Sequence, residues 1–163
     1  TVALGLTDPP EGAFTDPRHP KLGWRLYSID AEKFNQPINW TKLRVDYVIP
    51  EYGSELTGES YILEMGFERL NGVDFKKGCY VGQEVTARMK HKTELHKGLV
   101  KIGSEETMVV GEELFLNDKP IGSVLTVYDR SALAYVRLKN RDEILSTKST
   151  KRIFVDTNPI SSN

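Results

Sequence analysis

The first third of the chain alternates short apolar pieces with residues that break regular structure. Between residues 1 and 36, repeated proline and glycine residues favour extended segments and turns over a long helix. The clearest strand pattern covers 22–29, where every second position is apolar at Leu22, Trp24 and Leu26. This stretch therefore predicts one strand among several short extended pieces.

Helical spacing replaces this alternation further along the chain. Trp40, Leu43 and Tyr47 recur at intervals of three and four residues, which predicts a helix over 40–48 with Asn39 as its N-cap and Pro50 beyond its end. The polar stretch 51–60 predicts a solvated loop, because it holds three Glu and two Gly. Leu63, Phe67 and Leu70 then fit one face of a short helix before an Asn-Gly turn.

From residue 97 the pattern changes to short strand-like runs separated by turns. The six runs are GLVKI, TMVV, ELFL, IGSVLTVY, ALAYVRL and RIFVD. Their number and spacing predict a small antiparallel barrel or sandwich. We therefore expect an α+β protein with a first portion over 1–94 and a second, β-rich portion over 95–163.

Composition excludes several classes of protein. The chain has 163 residues, 39% hydrophobic residues and a formal charge of −1, which is typical of a globular protein and argues against nucleic acid as a partner. One cysteine cannot form an internal disulfide or a complete zinc or iron-sulfur ligand set, so a reducing compartment and no resident metal are expected. No apolar run is long enough to span a membrane, which predicts a soluble protein.

The near-neutral total hides a polarised distribution of charge. Positions 1 to 74 carry seven basic and twelve acidic residues, whereas positions 75 to 101 carry seven basic and two acidic residues. The basic segment also contains the single cysteine, Cys79. The most nucleophilic side chain therefore lies in the most positive part of the sequence.

The residues around Cys79 predict a tight turn followed by a helix. Gly78 and Gly82 flank the thiol, and Glu84 and Arg88 are spaced for an ion pair across one helical turn. Positive potential at a helix start favours the thiolate, so a reactive cysteine is one reading and a buried structural cysteine is the other. No spacing rule links the thiol to a histidine, and no phosphate-binding or dinucleotide-binding loop occurs.

One octapeptide resembles a known family. Residues 77–84, KGCYVGQE, followed by Arg88, resemble the K-G-C-Y-x-G-Q-E signature of the YgfZ-type folate-binding proteins, relatives of the glycine-cleavage T-protein. The segment 70–75 and the Asp16-Pro17-Arg18 region are also similar, as is the stretch from Arg44 to Glu51. This sequence departs from the family at Val48, where glycine is usual, and it resembles the later part of longer members.

The resemblance implies a fold, a ligand and a role. It implies an aminomethyltransferase-like portion followed by a C-terminal barrel, tetrahydrofolate as the ligand, and a function in iron-sulfur cluster assembly or repair with iron-sulfur assembly proteins or client enzymes as partners. A bacterial member would be cytoplasmic and a eukaryotic one would lie in the mitochondrial matrix. The functional thiol would be Cys79, and the motif residues around it would be Lys77, Gly78, Tyr80, Gly82, Gln83, Glu84 and Arg88. The folate carboxylates would pair with Arg18, Arg25 or Arg44.

Two other functions fit the sequence. The first is a one-carbon transferase like the T-protein, which requires a general base near the reactive folate nitrogens, and no carboxylate can be assigned to that role from sequence. The second is a non-catalytic module whose basic helix docks an acidic protein or RNA. Mutation of Cys79 and the salt dependence of partner binding distinguish the three.

Overall fold

A computed structural model describes residues 1–78, 82–92, 95–137, 145–147 and 151–156. These residues form two α-helices, α1 (Trp40–Tyr47) and α2 (Glu84–Lys92). The strands are β1 (Val2–Gly5), β2 (Phe14–Thr15), β3 (Trp24–Tyr27), β4 (Lys97–Ser104), β5 (Glu113–Leu116), β6 (Lys119–Tyr128), β7 (Ser131–Arg137), β8 (Leu145–Thr147) and β9 (Arg152–Val155). The predicted α+β class is therefore confirmed.

The N-terminal strands form an antiparallel sheet in the order β1-β3-β2. Trp24 and Leu26 of β3 point to one face, where they pack with Ala3. Gly5 lies opposite Trp24, and a Cβ at this glycine would come within 2.1 Å of the Trp24 ring. The glycine is therefore needed to let the indole lie across β1.

Helix α1 forms as its sequence predicts. The Asn39 side chain accepts a hydrogen bond from the Lys42 backbone N–H at 2.9 Å, which satisfies one of the free donors of the first turn. The helix ends at Val48, which has a left-handed backbone conformation with φ 52°. Its apolar side joins a cluster with the buried residues Leu22, Ile49 and Leu70.

The C-terminal strands form one antiparallel sheet in the order β4-β7-β6-β5-β8-β9. Strand β4 pairs with both β7 and β9, so the sheet closes into a barrel. The buried interior consists of Ile102, Met108, Leu114, Ile121, Val124, Ala132, Ala134, Val136 and Ile153. The strands predicted around 98–102, 113–116, 121–128, 132–138 and 152–156 are all present in the part that the structure describes.

The prediction of one of the six strands was wrong. The run TMVV at 107–110 forms no strand, because only Met108 reaches the barrel interior while Val109 and Val110 are exposed. A turn bond from the Glu112 N–H to the Val109 carbonyl, 3.0 Å, bends the chain there. Strand β8, whose residues carry no clear alternating pattern, takes the sixth place in the sheet.

The helix predicted from Leu63, Phe67 and Leu70 was also wrong. The segment 62–71 consists of successive turns, in which hydrogen bonds span three, four or five residues instead of repeating at four. Gly66 has φ 78°, which a right-handed helix does not allow. Leu63 and Leu70 are nevertheless buried. The apolar spacing therefore indicated correctly which residues are buried, but not that they lie on a helix.

The predicted boundary at residue 94 lies outside the described residues, so the division into 1–94 and 95–163 stays a prediction. Polar contacts nevertheless join the two portions. The Lys101 ammonium of β4 lies 3.1 Å from an Asp46 carboxylate oxygen of α1, and the Leu99 N–H donates to the Glu64 carbonyl at 2.9 Å. Neither described helix combines the length and apolar character needed to cross a lipid bilayer.

Candidate functional site

The two glycines of the signature have the backbone conformations that the sequence predicted. Gly78 has φ 88° and Gly82 has φ 89°, a region that residues with a Cβ rarely occupy. At both positions an added Cβ would meet no atom within 4 Å. Glycine is therefore required here by backbone conformation and not by crowding. Cys79, Tyr80 and Val81 lie outside the described residues.

Helix α2 begins at Glu84, two residues after the second glycine. Its first intrahelical bond runs from the Ala87 N–H to the Gln83 carbonyl at 2.9 Å. The predicted pair between Glu84 and Arg88 is present at 2.7 Å, but both side chains are largely exposed. Such a pair contributes little to stability. The Arg88 guanidinium thus lies at the surface, within reach of a partner molecule.

The segment before the first glycine is held by a local turn and packs beside α2. The Asp74 carboxylate accepts the Lys76 N–H at 2.8 Å. A small cavity of about 40 Å³ lies between this segment and the first turns of α2. Its lining consists of Val73, Asp74, Phe75, Gly78, Gln83, Thr86 and Ala87.

Much of the positive charge in this region is neutralised within the chain. Lys90 pairs with Glu68 at 2.5 Å and its ammonium lies 5.2 Å from the Phe75 ring centroid. Lys101 pairs with Asp46. The segment therefore presents a weaker positive field than its composition suggests, which argues against docking driven by charge alone.

Arg18 and Arg25, two of the arginines predicted to bind folate, converge on Asp16. The Asp16 side chain is only 1% exposed, and it accepts two hydrogen bonds from the Arg18 guanidinium at 2.8 and 2.9 Å and one from Arg25 at 2.7 Å. Burial raises the pKa of this carboxyl, but the bonds from the two arginines outweigh burial and lower the pKa to about 2. Asp16 therefore stays ionised at any physiological pH.

The third predicted arginine, Arg44, is placed differently. Its side chain is 5% exposed, and it donates to the Ile49 carbonyl at 3.2 Å, to Glu51 at 2.8 Å and to Glu55. A folate carboxylate would have to displace one of these acceptors. The assignment of Arg44 to folate stays a prediction, but the contacts give this residue a structural role.

Glu55, which the sequence did not mark as a site residue, belongs to the stretch 51–60 that was predicted to be a solvated loop. The Glu55 carboxylate is buried, and it accepts hydrogen bonds from Arg44, from the Glu51 N–H at 2.9 Å and from the Thr126 hydroxyl of β6 at 2.5 Å. Thr126 lies 71 residues away in the sequence, so no local sequence signal could predict that Glu55 is buried against it.

A second carboxylate, Glu64, also meets the barrel. It accepts a hydrogen bond from the Tyr135 hydroxyl of β7. Burial and this bond raise the pKa of Tyr135 well above its ordinary value, so the phenol stays protonated and acts as a donor. A cavity of about 240 Å³ lies beside the pair, with Glu55 and Tyr135 in its lining.

Part of this chain is similar in sequence to proteins named as iron-sulfur cluster assembly factors. No family model matches the chain. It is 37% identical over 98 residues to the mitochondrial iron-sulfur cluster assembly factor IBA57 of Mus musculus, covering 55% of this chain and 27% of that protein. The human IBA57 is 36% identical over 95 residues, covering 53% of this chain and 27% of that protein. The homologue from Neurospora crassa is 36% identical over 98 residues, covering 54% and 22%. The chain thus spans about a quarter of the length of the curated relatives it matches.

The fold has a solved neighbour as well. The aminomethyltransferase T of the glycine cleavage system from Bartonella henselae superimposes with a TM-score of 0.57 over 71% of this chain and 36% of that protein, at 17% sequence identity. This likeness is one of fold alone. The similarity to the IBA57 proteins and the likeness in fold to aminomethyltransferase T agree with the resemblance that the KGCYVGQE segment predicted, that of a YgfZ-type sequence with a T-protein-like fold.

Proposed function

We propose that this chain is part of a tetrahydrofolate-binding accessory factor for iron-sulfur cluster assembly or repair, with Cys79 as its functional thiol. The single observation that carries the proposal is the KGCYVGQE segment, in a chain whose relatives are named iron-sulfur cluster assembly factors. Iron-sulfur assembly proteins or client iron-sulfur enzymes are the partners this role requires. If the protein is eukaryotic, the mitochondrial names of the relatives favour the mitochondrial matrix, and a bacterial protein would be cytoplasmic.

The described residues on either side of the thiol support this role. Gly78 and Gly82 have φ values that only glycine adopts readily, which suits a loop that presents the residues between them. Lys77 is exposed on one side of the loop, and α2 begins on the other, where the positive end of the helix dipole favours a thiolate. Gln83 and Glu84 shape the start of the helix, and Arg88 offers a surface cation.

The fold suggests how the two portions are used. The antiparallel barrel corresponds to the C-terminal domain expected of an aminomethyltransferase-like protein, and the preceding portion would supply the folate site. Contacts from Glu55 and Glu64 to Thr126 and Tyr135 hold the barrel against that portion.

A one-carbon transferase is the second candidate, and the likeness to aminomethyltransferase T is the observation that favours it. Turnover of tetrahydrofolate with a defined aminomethyl or methyl donor would establish this activity. A protein that binds folate but shows no turnover supports the accessory role.

Complementation of cells that lack the native factor tests the proposal, with the variants introduced into the full-length protein. Replacing Cys79 with Ala is expected to leave the protein folded but to abolish support of iron-sulfur enzyme activity. Lys77 and Lys76 form a matched pair of neighbouring exposed lysines, of which only Lys77 belongs to the signature. Lys77→Ala should impair complementation and Lys76→Ala should not. Full complementation by the Cys79→Ala variant would refute the role of the thiol.

A further inference from the structure

Two arginines share one buried carboxylate at the edge of the N-terminal sheet. Arg18 binds Asp16 through its Nε and Nη2 atoms, at 2.9 and 2.8 Å, and Arg25 binds through its Nε atom at 2.7 Å. Arg18 Nη2 and Arg25 Nε bond to the same oxygen, Oδ2 of Asp16. The single carboxylate therefore holds two like charges close together.

Each arginine keeps unused donors. Within the part of the chain that the structure describes, Arg18 Nη1 and Arg25 Nη2 make no hydrogen bond, while Arg25 Nη1 makes a long one of 3.4 Å to the Tyr27 hydroxyl. The side chains are 28% and 24% exposed, so solvent reaches them. Both arginines thus use their inner edge for Asp16 and leave outer donors for another acceptor.

The surroundings fix the position of these arginines and keep the charge positive. The Arg18 guanidinium lies 5.3 Å from the centroid of a Trp40 ring, which restricts its movement. Lys21 and Arg69 lie near enough to His19, the residue after Arg18, to lower its pKa, although burial of the ring contributes most. Two guanidinium groups on one carboxylate leave an excess positive charge, which an anion can neutralise.

We propose that Arg18 and Arg25 form a binding site for a ligand that carries several carboxylates, and that Asp16 is the positioning residue that aligns the two guanidinium groups. The site deepens the function proposed above and rests on its folate component, since the glutamate tail of folate is a ligand of this class. Arg44 is not part of the site, because its guanidinium is buried against Glu51 and Glu55.

Calorimetric titration of the full-length protein that contains this chain, at constant ionic strength, tests this site with two probes. The first is γ-linked triglutamate, which contains no pterin, and the second is 5-formyltetrahydrofolate with one or three glutamates. The variants are Arg18→Gln and Arg25→Gln, and the control is Arg130→Gln, an exposed arginine in the turn between β6 and β7. Each of the first two should bind triglutamate about tenfold more weakly than wild type, as expected for one lost charge-assisted contact, and Arg130→Gln should bind it unchanged.

The Asp16→Asn variant distinguishes a role of Asp16 in aligning the two guanidinium groups from a purely electrostatic effect of its negative charge. Removing a negative charge beside the site would strengthen carboxylate binding if Asp16 only competed with the ligand. We expect weaker binding instead, because the two guanidinium groups repel each other once their common acceptor is neutral. Circular dichroism must show that the variant is folded under the conditions of the titration, and stronger binding would overturn the positioning role.

The outcomes for the two proposals differ. Triglutamate binding that depends on both arginines, without any binding of 5-formyltetrahydrofolate, would support the site and refute the folate component of the proposed function. Folate binding that is equal in wild type and in both arginine variants would support the function and refute the site. If neither probe binds to wild type, both are refuted.

Discussion

The Asp16 carboxylate makes the acid stability of this chain predictable. Replacing Asp16 with Asn keeps the size of the side chain and one oxygen acceptor, but it removes the charge that Arg18 and Arg25 share. The carboxylate is almost fully buried, so its bonds to the arginines are little screened by solvent. We therefore expect a loss of stability at neutral pH that shrinks as the pH is lowered.

The size of the effect follows from the pKa. A fall in the Asp16 pKa from 3.8 in the unfolded chain to about 2 in the folded protein corresponds to about 2 kcal/mol of stabilisation of the ionised form. Because the folded pKa is the lower one, this contribution is fully present well above pH 3.8 and is lost as the pH falls from 3.8 through about 2. The Asn variant lacks the contribution at every pH.

Urea unfolding of both proteins, followed by tryptophan fluorescence, measures this difference between pH 6 and pH 2.5. The free energy of unfolding should differ by about 2 kcal/mol at pH 6, and the difference should decrease steadily below pH 4. Titration of the Asp16 carboxyl by NMR gives an independent value of its pKa. A midpoint near 3.8, or a difference in stability that does not change with pH, would refute the assignment of the stabilisation to this ion pair.

Two further pairs of variants test the structure around α1. Arg44→Met should destabilise the chain by about 3–5 kcal/mol in urea unfolding because it leaves the buried Glu55 carboxylate without its cation, whereas Glu51→Gln, which removes the half-exposed partner, should cost less than about 1 kcal/mol. Equal losses would contradict the buried position of Glu55. At Val48, which has φ 52°, the Gly variant should be more stable than the Ala variant by about 1 kcal/mol, since both lack the valine side chain and only glycine adopts this conformation without strain. Equal thermal stability of the two would contradict the left-handed backbone.

Local signals account for the elements that the sequence predicted correctly. Helix α1 needs only its apolar spacing and the Asn39 cap, and the strands β6 and β7 need only long apolar runs between turns. The helix predicted over 63–70 failed because apolar spacing reports which residues are buried, and a series of turns around Gly66 buries Leu63 and Leu70 equally well.

For the candidate site too, local features could be predicted from the sequence, whereas contacts between distant residues could not. The conformations of Gly78 and Gly82 and the start of α2 could be predicted, because glycine positions and helix signals are local. The polar contacts that join the barrel to the first portion could not, because Glu55 and Thr126 are 71 residues apart, as are Glu64 and Tyr135. A glutamate in a polar stretch predicts a solvated side chain until its distant partner is known.

Val48 shows what a family resemblance adds to reasoning from a single sequence. Nothing in the apolar pattern distinguishes this valine from its neighbours, but the YgfZ-type sequences usually have glycine at this position. The structure gives Val48 a left-handed backbone, the conformation that glycine favours at the end of a helix. The Arg69 guanidinium donates to the Val48 carbonyl at 2.7 Å and to the Tyr47 carbonyl at 3.1 Å, so the end of α1 is held by a residue from the following turn segment. A position where the family prefers glycine thus marks a backbone conformation that this chain retains with a β-branched residue, because contacts from elsewhere in the fold offset the strain.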